Sequence, residues 1–407
     1  MPSSLLLHPA RIADIRGPAP TVTFVVVAYG LLAAGWAANH FSTMLAVLRE
    51  QQDFPPVVVN GAFGIYAAGL VPCLLIGGLL ADRFGARPIV VTGSVAAAMG
   101  NLMLLVWQTT PGLLVGRLVV GLGVGLTISA GTAWAARLRG ASGVVLAGIV
   151  MTTGFAVGPI ASGIFAYVLT DTATMTVPFV VTIILSGIAT VAALAVRPDS
   201  PPQPADDTPD ATPVTSDAQP SLRRALATAI PMTLWVFSTA AVALVTLAER
   251  VSNRVDFSML LPGIAALLAF SAGLIVQAVG RRFTWGPTSG VAAACIAGLG
   301  FIVTGLGGAA PPLWLFVVAA LLLGTAYGMA LREGLLDVET YAPPHRRGTA
   351  LGIYYVFTYF GFILPVVFAW MLPVTGYVMP LVVLGIVAFG AATLRGVQIR
   401  RGILDRD

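Results

Sequence analysis

Lysine is missing altogether: every one of the 22 basic residues is an arginine. Charge of either sign is scarce too, at 10% of 407 residues, against about 25% in an average soluble protein. A water-soluble fold of this length could not cover its surface with so few charges. With 57% of the residues hydrophobic, lipid must be the solvent for most of the chain. The all-arginine usage is a compositional bias and says nothing about a ligand. Cysteine is nearly absent as well. Cys73 and Cys295 lie far apart inside apolar runs, without a disulfide framework or metal-ligand spacing, and read as small buried hydrophobes. No Ser/His/Asp constellation, HExxH or phosphate-binding loop is present, so nothing points to an enzyme, a metal or a cofactor.

Long apolar runs are what the sequence does have. A spanning helix needs about 20 apolar residues, rising about 1.5 Å each through a core of about 30 Å. Twelve runs qualify: Thr21–Leu48, Pro56–Ala81, Pro88–Trp107, Pro111–Ala136, Ser142–Leu169, Val177–Val196, Ala225–Leu247, Phe257–Gly280, Pro287–Leu306, Pro311–Leu331, Thr349–Pro373 and Tyr377–Leu394. The ninth and tenth are cut at the Gly/Pro turn Gly305–Pro312, and the last two at Pro373–Gly376. The segment before the first run carries Arg11, Asp14 and Arg16 and has no clear cleavage site, so an uncleaved first helix is expected.

Charge placement orients the runs. With a cytoplasmic N-terminus and twelve crossings, Arg11, Arg16, Arg83, Arg87, Arg137, Arg139, Arg197, Arg223, Arg224, Arg281, Arg282, Arg332, Arg346, Arg347, Arg395, Arg400, Arg401 and Arg406 fall inside. Only Arg49, Arg250 and Arg254 fall outside, and Arg117 lies within the fourth helix. That is the positive-inside bias of a multi-pass protein of the cytoplasmic membrane with both termini inside. It also accounts for the net charge of +5 without a nucleic-acid partner. Residues 197–224, rich in Pro and Asp, read as a cytoplasmic linker between six-helix bundles at 1–196 and 225–407. The halves echo each other: Gly78, Leu79, Gly85 and Arg87 recur as Gly273, Leu274, Gly280 and Arg282, and Arg139-Gly140 as Arg347-Gly348. The expected fold is all-α, integral to the membrane, with two pseudo-symmetric bundles around a site near the midplane.

The segment Gly78–Arg87 has the form G-x-L-A-D-R-x-G-x-R, and through it the chain resembles the major facilitator superfamily over nearly its whole length. The resemblance implies a rocker-switch secondary transporter acting on a small molecule, as a monomer, driven by a proton gradient. It also implies a conformational switch of Gly78, Asp82, Arg83, Gly85 and Arg87, with Asp82 braced against the eleventh helix near Gly348 and Arg137 as charge partner. Arg117, followed by Gly121, Gly123 and Gly125, resembles the family's R-x-x-x-G-x-G pattern. An arginine within a bilayer costs at least about 2.5 kcal/mol, so it should face a cavity or a partner. Gly154, Gly158, Pro159 and Gly163 resemble the G-x-x-x-G-P-x-x-x-G gate of the drug/proton antiporter branch, although Ser162 replaces one glycine of that pattern.

Asn39 and His40 in the first helix, Asn60 in the second, Trp235, Ser238 and Thr239 in the seventh, and Tyr354, Tyr355 and Tyr359 in the eleventh add polar groups to apolar runs. Of these, Asn39, His40, Trp235, Tyr355 and Tyr359 join Arg117 as candidates for a substrate or proton pathway. The three tyrosines cannot share one helix face, so some are expected to meet lipid. No acid is expected deep in a helix: Glu50, Asp82, Glu249 and Asp256 sit at ends, and Glu333, Asp337 and Glu339 follow the tenth run. Without a buried carboxylate to recognise a polycation, two cargo readings remain. One is proton-coupled efflux of a hydrophobic or amphipathic compound; the other is uptake or exchange of a small anion or polar metabolite through Arg117.

Overall fold

The structure, a computed structural model, describes residues 20–52, 54–197, 221–343 and 347–404. Among the described residues twelve helices are long and apolar enough to span a membrane: α1 (Thr21–Arg49), α2 (Val57–Phe84), α3 (Ala86–Val106), α4 (Thr110–Gly140), α5 (Ser142–Val168), α6 (Asp171–Ala195), α7 (Leu222–Arg254), α8 (Ser258–Arg282), α9 (Thr288–Leu306), α10 (Leu313–Tyr341), α11 (Thr349–Thr375) and α12 (Val378–Arg400). Hydrocarbon offers no hydrogen bonds to the backbone, so each segment must close its own, which only a helix does without partner strands. No strand occurs among the described residues. Most of the inferred linker, residues 198–220 with Asp199, Asp206, Asp207, Asp210 and Asp217, lies outside the described residues, as do Arg11, Arg16, Arg346 and Arg406.

Glycine sets how closely the helices approach. A Cβ on Gly35 of α1 would lie 2.3 Å from the Met151 carbonyl of α5, and one on Gly154 of α5 would lie 2.3 Å from the Leu32 carbonyl of α1. The same device joins α2 to α4 at Gly121 and Tyr66, α8 to α10 at Gly324 and Ala269, and α7 to α11 at Gly361 and Ser238. Small residues let backbones touch where lipid gives no hydrophobic drive to associate. The first six helices pack mainly on one another, as do the last six. The two sets meet chiefly along α5 with α8 and along α2 with α11. Tight turns use two positive-φ glycines, Gly85 (φ 86°) between α2 and α3 and Gly140 (φ 59°) between α4 and α5, a region that side chains disfavour.

Three helices are irregular near their middles. α1 is interrupted at His40, α7 carries a π-helical segment at Val242–Leu247, and α11 tightens to a 3-10 turn at Phe360–Ile363 before Pro365. Three helices, α7 among them, run longer than the apolar pattern suggests. α7 continues to Arg254, α10 to Tyr341 and α12 to Arg400. A charged residue marks the end of an apolar run but not of the helix, because an α-helix continues past the bilayer wherever its polar residues find partners.

Candidate functional site

Arg117 anchors the centre of the first bundle. It is fully buried, and its guanidinium lies between two rings, with Cζ 4.3 Å from the Phe41 centroid and 4.4 Å from that of Tyr66. Both faces of the cation are thereby covered. Nε donates to the Ala62 carbonyl at 3.3 Å, while Nη1 and Nη2 are buried without a hydrogen-bond partner. Two unpaired N–H groups in such a place are costly alone and well suited to an acceptor or anion on a ligand.

From Tyr66 a line of aromatic rings crosses into the second bundle. Tyr66 and Phe63 of α2 meet Phe362 of α11 with centroids 6.1 and 5.1 Å apart. Tyr359 stacks on Phe237 at 4.3 Å, and Phe237 continues to Tyr327 at 6.1 Å. Tyr327 then meets Phe270 at 5.2 Å, which returns to Phe155 of α5 at 5.7 Å. Along this line the contact between bundles is therefore mainly aromatic, with the Arg117 guanidinium at its edge.

Of the other residues expected here, Tyr359 is buried in this line and Tyr355 is half-buried beside Tyr354, 5.6 Å away. Tyr354 corrects the expectation that some of the tyrosines meet lipid. It is fully buried against Gly334 of α10 and donates to the Leu331 carbonyl at 3.4 Å. The exposed large apolar residues on this helix are Phe357, Phe360, Ile363, Trp370 and Val374 instead. His40 turns into its own bundle, with Nε2 2.9 Å from the Asn101 side-chain oxygen on α3 and its ring edge-on to Phe179 of α6 at 5.5 Å. Asn39 donates to the Phe155 carbonyl at 3.5 Å. Trp235 likewise turns to Phe301 of α9, 6.2 Å away. His40 and Trp235 thus occupy matching places in the two halves, behind the interface rather than in it.

The two ends of the bundle interface differ. At the arginine-rich face, Asp82 lies 3.6 Å from Arg137, pairing the ends of α2 and α4. Asp82 is 63% exposed there, which screens the pair strongly. Arg83 covers the Phe84 ring at 5.3 Å, and Arg87 caps the end of α6 by donating to the Ala193 carbonyl at 3.0 Å. Gly78 faces Ser129 of α4. Gly348 falls in the first turn of the helix that opens α11, and residues 344–346 before it lie outside the described residues. α2 and α11 touch nearby, where a Cβ on Gly352 would be 2.8 Å from the Leu75 side chain. The internal echo has a structural counterpart: Arg332 of α10 donates to the Gly280 carbonyl at 3.1 Å, bracing the end of α8 as Arg137 braces that of α2.

On the opposite face the α5 motif divides its work. Gly154 and Gly158 lie against α1, at Leu32 and Trp36. Pro159 lacks an N–H and so frees the Phe155 carbonyl one turn back, which accepts from Asn39, while the Pro159 carbonyl itself accepts from the Thr43 hydroxyl at 2.8 Å. Gly163 instead meets α8, where its Cβ would be 3.1 Å from the Met259 carbonyl. Gly263 of α8 answers it, lying directly on the Pro159–Ile160 backbone. An ion pair adds to this seam: Arg49 of α1 reaches Glu249 of α7 at 2.7 Å while donating to the Asn60 side chain at 2.8 Å. On the next residue Arg250 is buried, donates to the Thr304 carbonyl at 2.9 Å and faces the Tyr377 ring at 5.0 Å.

The expectation that no acid is buried in a helix is overturned. Glu333 and Asp337, placed beyond the tenth helix by sequence, lie within α10 and are fully buried, as is Arg395 of α12. Arg395 grips Asp337 through both terminal nitrogens and lies 3.6 Å from Glu333, and it donates to the Thr228 carbonyl of α7 at 2.9 Å. Arg332 pairs with Glu333 from the neighbouring position. The four-residue spacing of Glu333 and Asp337 puts both on one helix face, a signal present in the sequence but masked by reading the charges as a terminus.

Comparison with known proteins gives a consistent picture. A model of the Major Facilitator Superfamily matches residues 25–364. The curated relatives are matched over a short stretch. "Multidrug resistance protein MdtL" of Klebsiella pneumoniae (strain 342) is 34% identical over 64 residues, 16% of either chain. The protein of the same name from Shigella flexneri serotype 5b (strain 8401) is also 34% identical over 64 residues and 16% of each chain. Similarity of fold extends much further. A POT family transporter solved in complex with 5-aminolevulinic acid superposes with a TM-score of 0.77 at 14% identity, covering 96% of this chain and 97% of that one. The nucleoside transporter NupG gives 0.68 at 15% identity, covering 95% and 100%. At such identities these two likenesses establish the fold alone.

Proposed function

Since the chain belongs to the major facilitator superfamily, a family of membrane transporters for small molecules, we propose that it exports a hydrophobic or amphipathic compound by rocking two halves, 1–196 and 225–407, about the aromatic seam. The linker 197–224 and both termini are cytoplasmic in this reading, which takes the arginine-rich face as the inner one. The chain works as a monomer in the cell membrane. The carrying observation is the chemistry of the seam: rings from both halves offer stacking and apolar contact, with one guanidinium to fix orientation. The MdtL proteins, named for multidrug resistance, are similar over one short segment and lend modest support to export.

The second reading, uptake or exchange of an anion, is favoured by the unpaired terminal nitrogens of Arg117. Arg117→Ala separates the two in proteoliposomes. Export of neutral hydrophobic compounds is expected to continue within about thirtyfold of wild type, because Phe41 and Tyr66 remain and one cation–π contact is worth about 0.5–2 kcal/mol. Loss of all transport of an organic anion, with neutral export absent from wild type as well, would instead select the second reading.

The ion pair at the outer seam is proposed to bias the cycle. Glu249 is partly exposed, at 34%, and its negative charge holds Arg49 across the two halves. Glu249→Gln removes an ion pair worth at most about 1 kcal/mol and shifts the equilibrium about fivefold toward outward opening. Labelling of a cysteine placed at Ser162 should therefore be faster in Glu249→Gln than with Glu249 in place. Equal labelling in both proteins would remove the ion pair from control of the outer seam.

A further inference from the structure

α9 and α12 cross tightly at mid-length, where a Cβ on Gly298 would lie 3.0 Å from the Gly385 carbonyl and one on Gly385 2.7 Å from the Ile302 side chain. Toward the arginine-rich face the Arg395 side chain bridges them, 2.8 Å from where a Cβ on Gly290 would lie, and leaves a recess beside Gly396. A Cβ on Gly396 would meet nothing within 4 Å. The result is a cleft of about 410 Å³ lined by Thr288, Val291, Ala292, Cys295, Gly396, Ile399 and Arg400. Its flanks are lipid-facing, with Leu394 49% and Val397 38% exposed. Thr288 opens α9, so the lining from Thr288 to Cys295 runs about 10 Å into the hydrocarbon. The mouth is basic: Arg400 lines it, Arg401 follows at the end of α12, and both are exposed.

We infer that this cleft seats an anionic phospholipid, with an acyl chain against Val291, Ala292 and Cys295 and the phosphate at Arg400 and Arg401. An acyl chain alone gains little, because lipid is as apolar as the cleft wall. The guanidiniums supply the selectivity, since each favours an anionic headgroup at the membrane surface and can hold phosphate oxygens in bidentate fashion. A second copy of the chain fits poorly. Two-fold pairing on this face would bring the Arg400 and Arg401 of two copies into one interface, with no acid among the lining residues to offset them. The site is separate from the seam between the bundles, and its test does not depend on which solute is carried.

The test uses the full chain in nanodiscs of equimolar phosphatidylglycerol and phosphatidylcholine, extracted and examined by native mass spectrometry. Wild type should retain phosphatidylglycerol over phosphatidylcholine by on the order of tenfold. Arg400→Gln/Arg401→Gln should fall to the bulk ratio, and Gly396→Phe should lose the retained lipid by filling the cleft. Location is read separately in a Cys73→Ala/Cys295→Ala background with Leu394→Cys, an exposed position on the flank of the cleft. A fluorophore there should be quenched more by acyl-spin-labelled phosphatidylglycerol than by the phosphatidylcholine analogue, and the arginine pair of substitutions should abolish the difference. Retention unchanged in the double variant, equal quenching by the two lipids, or a dimer that dissociates on Gly396→Phe would each overturn the assignment.

Discussion

Arg395→Met is expected to destabilise the second bundle by about 3–5 kcal/mol, the cost of removing one partner from a buried ion pair. Arg395 is fully buried and joins three helices, gripping Asp337 of α10, approaching Glu333 at 3.6 Å and donating to the Thr228 carbonyl of α7. Removing it leaves Asp337 inside the bundle without the guanidinium opposite. Thermal unfolding of the purified protein should show a midpoint several degrees lower, and adding Asp337→Leu should recover much of the loss because an apolar pair needs no counter-charge. A midpoint equal to wild type would mean that the cluster is solvated in the membrane-bound protein.

Gly263→Ala is expected to act on conformation rather than on stability. Its Cβ would lie 2.6 Å from the Ile160 Cα and 2.8 Å from the Pro159 carbonyl, and backbone atoms cannot swing aside as a side chain can. Relief requires α5 and α8 to separate, which opens the outer seam between the halves. Overpacking of this kind costs about 1–3 kcal/mol, roughly five- to hundredfold in the equilibrium between closed and open forms. Spin labels on the outer ends of α5 and α8 should report longer distances, and transport should fall in parallel. Gly154→Ala is the control. Its clash is with Leu32 of α1, inside one bundle, so it should lower stability without lengthening that distance.

The number of helices and the class of protein were legible because lipid imposes a simple rule, about 20 apolar residues between polar turns. Gly85 and Asp82 were legible for a similar reason, since a positive-φ turn and a charge pair leave a recognisable spacing. The interior of the seam was not. Phe41, Tyr66, Phe237, Phe270 and Phe362 sit in runs where lipid-facing and protein-facing residues are equally apolar, so composition cannot tell Phe362 from the exposed Phe360. Gly263 was missed because one glycine in a glycine-rich chain carries no mark of what it faces. Glu333, Asp337 and Arg395 were misplaced because a charge can end a transmembrane run or be paired inside a longer helix, and the partner here lies 58 residues away.

The central claim, that the two halves must part at the outer face in each cycle, is tested most directly by a reversible bond across it. Gly163 and Leu260 approach closely enough, since a Cβ on Gly163 would lie 3.3 Å from the Leu260 Cα, for a disulfide in Gly163→Cys/Leu260→Cys with Cys73 and Cys295 replaced. In proteoliposomes the oxidised protein should transport nothing and the reduced protein should recover its activity. Undiminished transport with the disulfide shown intact would contradict the account.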